Sequence, residues 1–447
     1  MPPFERHART VSLLTLASRV TGLARDAAFS RVFGAGVVMD AFVFAFMLPN
    51  LFRRLFGEGA MAAAFLPTFS RLDSSEPEMA RRLASLTVAL LVTVLGGVVL
   101  IGEISLYVVS ARSGHTSLPV WLMMVMLPYM PLVCVVAILG AMLQVRGRFG
   151  PAAAAPIVLN AFLIATTVGL AIALEGGEAS GAPEGRRLVH IGMVAGSVVL
   201  AGVVQVGWSL WALRTPPWWT RSMRPARGPM RRVLGQALPM IVGLGVLQLN
   251  TFLDGLIAAY PTVVGPTVFG IDYPLDPGAL STLGYAQRLY QFPLGVFGIA
   301  VATAIFPALS RAADEKGAFA DTLRRGLRLV VFIGLPASAG LVLVRTSLAA
   351  AVFEGGRFSP DDTARVGRIL LGYAPAVWAY SMVHVLTRGF YARGNSVTPV
   401  RIAIGVVALN LALNCTLIWT PLREAGLAWS TAVCAMIQAA GATASEP

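Results

Sequence analysis

The sequence predicts an all-α polytopic membrane protein, and three observations carry that reading. The 447 residues are 56% hydrophobic and 13% charged, with a mean hydropathy of +0.72, far from the balance of a soluble domain. The apolar residues fall into about twelve stretches close to the ~20 residues that a bilayer core requires. The charged residues gather between those stretches, and unequally so.

In order, the predicted spans are 9–34, 37–70, 84–109, 118–144, 152–174, 189–213, 233–260, 279–309, 327–352, 366–390, 398–420 and 425–441. The first contains Arg19 and lacks a small-residue cleavage motif, so it is expected to remain as helix 1. Pro49, Pro128, Pro131, Pro239, Pro293 and Pro336 fall inside apolar stretches and predict bent helices. Cys134, Cys415 and Cys434 lie in apolar segments without metal-ligand spacing and read as small packing residues. Glu103, within helix 3, has no role that the sequence assigns.

A net charge of +13 and an isoelectric point near 10.6 raise the question of nucleic acid, and placement answers it. Basic residues such as Arg6, Arg9, Arg81, Arg82, Arg146, Arg148, Arg221, Arg224, Arg325 and Arg393 occupy the N-terminus and the even-numbered loops. The odd-numbered loops collect acids, among them Glu175, Glu178, Glu184, Asp272, Asp276, Asp361 and Asp362. That asymmetry places the N-terminus in the cytoplasm. The basic excess sets orientation, and no nucleic-acid partner is implied.

Two halves follow from the order of helices: residues 1–213 as an N-lobe of helices 1–6, and 233–447 as a C-lobe of helices 7–12. Between them, 214–232 (RTPPWWTRSMRPARGPMRR) reads as an interfacial linker with Trp218 and Trp219 at headgroup depth. FLPTFSR at 65–71 is echoed by IFPALSR at 305–311, and the Leu-Asn ending at Asn160 by the one ending at Asn410. Each offset spans six helices, an even number, so the halves are pseudo-symmetric and share one orientation, as in transporters with parallel repeats. They are expected to flank a central cavity.

Arg19, Arg25, Arg53 and Arg54 lie in the first two apolar stretches, with Asp26 and Glu58. Each such charge costs roughly 2.5–3.5 kcal/mol at a helix centre, so these segments must line a wet cavity or face counter-charges. Arg19 and Arg25 are six positions apart and converge only if other helices enclose both or if Gly22 permits a bend. Pro49 precedes Arg53 by one turn, and Arg288 lies well inside helix 8. A guanidinium stays charged and matches phosphate oxygens with its planar fork. The alternative is internal pairing: Arg25 with Asp26 or Asp40, and Arg54 with Glu58.

Four blocks carry a specific resemblance: SRVTGLARD (18–26), VFGAGVVMDAFVFAFMLPNLFRRLFGEGA (32–60), FLPTFSR (65–71) and YAQRLYQFPLGVFGIA (285–300). With them, the chain resembles the MurJ/MviN family of lipid II flippases, within the multidrug/oligosaccharidyl-lipid/polysaccharide exporter superfamily. The resemblance implies a two-lobe transporter that moves the undecaprenyl-pyrophosphate-linked peptidoglycan precursor from the cytoplasmic to the periplasmic leaflet of the inner membrane. By motif, the family's cavity arginines fall on Arg19, Arg25, Arg53 and Arg288 as pyrophosphate ligands. Asp26, Asp40, Arg54 and Glu58 carry over as structural or gating partners.

The resemblance also suggests a sodium site in the second lobe. Asp254 is a lone acid deep in helix 7, Asn410 and Asn414 share one face of helix 11, and Ser430 or Thr431 on helix 12 adds a hydroxyl. An interhelical hydrogen-bond network without an ion would satisfy the same residues. Sodium is the one cofactor expected, as a coupling ion. Lipid II, membrane lipids and the peptidoglycan synthesis machinery are the implied partners, and a monomer is expected.

Family members typically have fourteen helices, the last two forming a groove for the lipid tail. Here the sequence ends after the twelfth, in QAAGATASEP, so either the protein manages without them or the chain is truncated. With no Walker A motif, sodium or membrane potential rather than ATP is expected to drive release. Two other readings stay open. One is an exporter of another lipid-linked oligosaccharide or of a drug, which would want acids in its first-lobe cavity. The other is a membrane-embedded polyprenyl-phosphate enzyme, which would need a DxD or His-rich cluster and a sizeable catalytic loop.

Overall fold

A computed structural model of the chain describes residues 3–57, 59–175 and 184–445. Among them, fifteen α-helices succeed one another: α1 (Pro3–Phe33), α2 (Val37–Phe52), α3 (Ala60–Ser75), α4 (Pro77–Ser113), α5 (Leu118–Met126), α6 (Tyr129–Val145), α7 (Gly150–Glu175), α8 (Glu184–Ala212), α9 (Arg227–Val263), α10 (Ala279–Pro293), α11 (Ala300–Arg311), α12 (Lys316–Phe353), α13 (Pro360–Ala392), α14 (Val397–Leu417) and α15 (Ala425–Ala444). Nine helical segments among the described residues are long and apolar enough to cross a membrane, and each coincides with one span predicted from sequence. The fold is all-α and multi-pass. The remaining three predicted spans are helical too. In α1 the charges Arg19, Arg25, Asp26 and Arg31 dilute the apolar run, α2 and α3 are separate 16-residue pieces, and in α9 the side chains at 242–244 and 246–247 lie outside the described set.

Apolar side chains left on the outside fit lipid as solvent. Leu100, Ile101 and Tyr107 of α4 and Phe332 and Leu343 of α12 are 61–81% exposed. In water such faces would be an aggregation hazard, whereas in a bilayer they are the required surface.

The chain divides into two compact units: residues 1–33 with 41–248, and 34–40 with 249–447. The boundary lies inside α9, and not in the 214–232 segment proposed as linker. That segment is shorter than expected, because a 3-10 turn at Arg224–Ala226 leads directly into α9 at Arg227. Pro225 and Pro229 stand at the start of these elements, where a missing N–H costs nothing.

In the first unit α6 is the central helix, packed by α3, α4, α7 and α8, while α1 lies along α7. In the second, α13 is central, packed by α10, α11, α12 and α15. Ser359 and Asp362 close a reciprocal capping box at the start of α13, and Pro360 fills its first position. Both central helices coincide with the fourth predicted span of their half, 118–144 and 366–390. A second correspondence is local: π-helical turns occur at Arg53–Gly57, four residues after Pro49, and at Leu294–Ile299, directly after Pro293. Bent helices were expected at both prolines, and a π turn is one way of relieving the lost bond.

Between α9 and α10 the structure adds an element that the sequence reading lacks, a hairpin of Thr267–Val268 and Ile271–Asp272. Phe269 (φ 49°) and Gly270 (φ 81°) both adopt the left-handed conformation that a two-residue hairpin turn requires.

Candidate functional site

α1 runs without interruption through Gly22, so Arg19 and Arg25 stay roughly 120° apart around it. No bend brings them together. Gly22 faces α7, where a Cβ would stand 3.6 Å from the Asn160 amide nitrogen, an ordinary contact. Arg19 is exposed. Arg25 turns inward: its Nε and Nη2 donate to Asp26 Oδ1 at 2.9 and 2.6 Å, and its Nη1 to Asn160 Oδ1 at 3.1 Å. The guanidinium also stands 5.9 Å from the Phe29 ring centroid. The internal pairing left open by the sequence therefore holds for Arg25, with Asp26 and not Asp40 as partner. These bonds take three of the five guanidinium N–H groups, which orients the fork while leaving donors for a ligand.

Asn160 is the residue that sequence reasoning missed. It is buried on α7 and donates to Thr21 Oγ1 at 3.1 Å and to the Ser18 carbonyl at 3.4 Å, so one amide ties three positions of α1 together. The signal was present in its alignment with Asn410 in the internal repeat.

Arg53 opens the first π turn and directs Nε and Nη2 at Asn50 Oδ1, 3.1 and 2.8 Å away. Arg54 is exposed and donates to Gln248 Oε1 at 3.2 Å. Glu58, its expected partner, lies outside the described residues. In the second unit, Arg288 projects from α10 with an exposed side chain.

Asp40 is fully buried and holds the start of α10. Its Oδ2 accepts from Gly278 N at 2.7 Å and Thr262 Oγ1 at 3.1 Å, and its Oδ1 from Ser281 N at 2.8 Å. A carboxylate there fills the role of a remote N-cap, satisfying amides that the helix cannot and complementing its dipole. Close approach makes this possible: a Cβ on Gly278 (φ 95°) would lie 2.6 Å from the Ala35 carbonyl oxygen. Nearby, Arg365 pairs with Glu424 at 3.0 Å, both largely buried, another contact for which the sequence held no local signal.

Asp254, Asn410, Asn414 and Ser430 are brought together. Asn414 Nδ2 donates to Asp254 Oδ1 at 2.5 Å and to Asn410 Oδ1 at 3.1 Å, Asn410 Nδ2 donates to Ser430 Oγ at 3.2 Å, and Ser430 Oγ donates to Asn414 Oδ1. All four are buried. Thr431 stands apart, its hydroxyl bonded to the Leu427 carbonyl of its own helix at 2.9 Å. Donor chemistry of one carboxylate, amide oxygens and a hydroxyl suits a hard monovalent cation, and the amides also satisfy one another as drawn. Glu103 has one buried carboxyl oxygen without a hydrogen-bond partner.

Comparison with known proteins decides the family. The family model described as "Lipid II flippase MurJ" matches residues 29–444. The chain belongs to the MurJ lipid II flippase family. A Vibrio cholerae relative, "Probable lipid II flippase MurJ", is 33% identical over 96% of this chain and 80% of its own length. "Lipid II flippase MurJ" of Burkholderia cenocepacia is 31% identical over 95% of this chain and 80% of its own. Among solved structures, "Lipid II flippase MurJ, inward closed conformation" aligns with a TM-score of 0.79 at 22% identity, covering 97% of this chain and 87% of that one. An inward-facing MATE family transporter of the MOP superfamily aligns at 0.72 with 14% identity, covering 96% and 95%. At those identities the structures speak for the fold, and the family rests on sequence.

Proposed function

We infer that this member of the MurJ family translocates lipid II, the undecaprenyl-pyrophosphate-linked peptidoglycan precursor, from the cytoplasmic to the periplasmic leaflet by alternating access. Family membership across nearly the whole chain carries the reading. Arg19, Arg25, Arg53 and Arg288 are assigned to the pyrophosphate, because permanent charges on membrane helices are tolerated where they serve an anionic substrate. Asp26 and Asp40 hold elements in place, and Arg54 with Glu58 is assigned a gating or structural part. The protein is placed in the inner membrane with its N-terminus cytoplasmic, on the positive-inside asymmetry. A cationic drug as cargo would call for acids in the first-lobe cavity, where the sequence places Arg19, Arg25 and Arg53.

The direct test is growth of a strain depleted of its own lipid II flippase. Wild type is expected to restore growth, and Arg288→Ala to fail at equal membrane abundance. Arg288→Lys is expected to recover little, since a point charge lacks the bidentate fork. Growth supported by Arg288→Ala would remove the ligand role from this residue.

Sodium is proposed as coupling ion at Asp254, Asn410, Asn414 and Ser430, with Thr431 as a more distant hydroxyl. A ligand that binds only the native state raises stability by about 2.7 kcal/mol at a hundred times its Kd. Replacing potassium by sodium chloride at constant ionic strength is therefore expected to raise the Tm of the wild-type protein and not of Asp254→Asn. Equal melting in both salts would mean that the four residues form a hydrogen-bond network alone.

A further inference from the structure

The segment 214–226, which joins α8 to α9, is a fixed strap. Arg81 of α4 donates Nη2 to the Trp219 carbonyl at 3.2 Å, and Arg146, after α6, donates Nη1 to the Pro216 carbonyl at 3.1 Å. Ser85 receives the Thr220 amide at 2.8 Å and donates to the Trp218 carbonyl at 3.4 Å. Apolar anchors complete the seat: Leu213, Ala226, Met230 and Val233 are at most 5% exposed. Backbone groups face the protein, so side chains are left to face outward.

Those outward side chains are of two kinds. Arg214, Arg221, Arg224, Arg227, Arg231 and Arg232 are all exposed, and none makes an ion pair among the described residues. Their surroundings explain why. From Gly185 to Leu253 the sequence contains neither Asp nor Glu. On the adjoining α3–α4 segment, Glu78 is engaged with Arg81 and Arg82 and Asp73 with Arg146, while Glu76 is exposed and forms no ion pair with the strap arginines among the described residues. Beside the arginines, Trp211 and Trp219 are 60% and 45% exposed, and the Arg214 guanidinium stacks 4.7 Å from the Trp211 ring centroid. Indole rings with one apolar side and one polar tip occupy the headgroup layer.

We propose that this strap is a pre-ordered binding surface for anionic phospholipid headgroups at the membrane surface. Its six arginines make no ion pair among the described residues, its tryptophans set its depth, and α4 and α8, which flank it, are themselves membrane-length helices. Ordering is what separates it from a generic basic loop. Hydrogen bonds to Arg81, Ser85 and Arg146 have already removed most of the entropy that a flexible polybasic segment would lose on binding. The inference rests on the membrane placement of α4 and α8 and is independent of which substrate the protein moves.

Phosphatidylglycerol retained by the full-length protein, purified from mixed phosphatidylglycerol–phosphatidylcholine nanodiscs and read by native mass spectrometry, tests it. Wild type is expected to retain phosphatidylglycerol preferentially, with the preference weakening as salt rises. The variant Arg221→Gln/Arg224→Gln/Arg231→Gln/Arg232→Gln, confined to exposed positions, is expected to lose most of it, at roughly fivefold per charge near the surface. A charge-matched control on the second unit, Arg311→Gln/Arg324→Gln/Arg325→Gln/Arg328→Gln, is expected to keep it. Ser85→Ala, which removes no charge, is expected to weaken retention by loosening the strap. Retention unchanged in the first variant, or lost equally in the control, overturns the proposal, as does displacement of the lipid by inorganic phosphate at equal charge. Lipid II transport failing in the wild-type protein would count against the flippase reading and leave this one standing.

Discussion

Arg25→Ala is expected to abolish support of growth in a flippase-depleted strain and to lower stability by up to about 3–5 kcal/mol, the cost of removing one partner of a buried ion pair. The Arg25 and Asp26 side chains are only 16% and 12% exposed, so little water is at hand to replace the lost guanidinium. The double variant Arg25→Ala/Asp26→Asn separates the two consequences. Neutralising Asp26 removes the buried negative charge that Arg25 faces, and melting is expected to recover in part. Transport is expected to stay lost, since the donors proposed for pyrophosphate are gone. Growth restored by the double variant would show that Arg25 serves only to neutralise Asp26.

Asp40→Ala is expected to be comparably damaging by a different route. It removes the acceptor for the Gly278 and Ser281 amides and the Thr262 hydroxyl in a site with no solvent exposure. Each buried donor left without a partner costs about 1–3 kcal/mol. Asp40→Asn should lose about half as much, because one oxygen remains while an NH2 group is turned against a donor. The thermal unfolding order is therefore expected to be wild type, then Asn, then Ala. An Ala variant that melts with wild type would mean that α10 does not depend on this cap. The transport consequence is expected to follow stability, because α10 also carries Arg288.

How far the sequence carried these conclusions depends on the range of each interaction. Membrane helices announce themselves locally, since twenty apolar residues need no partner to be read, and nine of the described helices coincide with predicted spans. The Arg25–Asp26 pair was legible for the same reason: the residues are neighbours. Asn160 is 135 positions from Arg25, and Ser281 is 241 from Asp40, so nothing in either local stretch marks the partner. Ser430 and Thr431 show another limit. Both hydroxyls donate to the Leu427 carbonyl of their own helix, and the Ser430 hydroxyl also reaches Asn414 and Asn410, a matter of helical phase that the sequence left open between the two. The basic segment was legible in composition, whereas its seat on Arg81, Ser85 and Arg146 depends on backbone carbonyls that a sequence does not display.

The π turn after Pro293 gives the helix, at that one place, a tolerance of chain length that an ordinary helix lacks. A π turn holds one residue more than the α-helical turn it replaces. Deleting a single residue from Leu294–Ile299 is expected to restore regular backbone bonding there while α11 keeps its phase. The same deletion between Ala302 and Leu309 would instead spin everything downstream of it by roughly 100°. Leu309, now 0% exposed, would then swing out of its packing while a neighbour swung in. The extra residue thus works as slack, taken up locally so that the inward face beyond it is preserved.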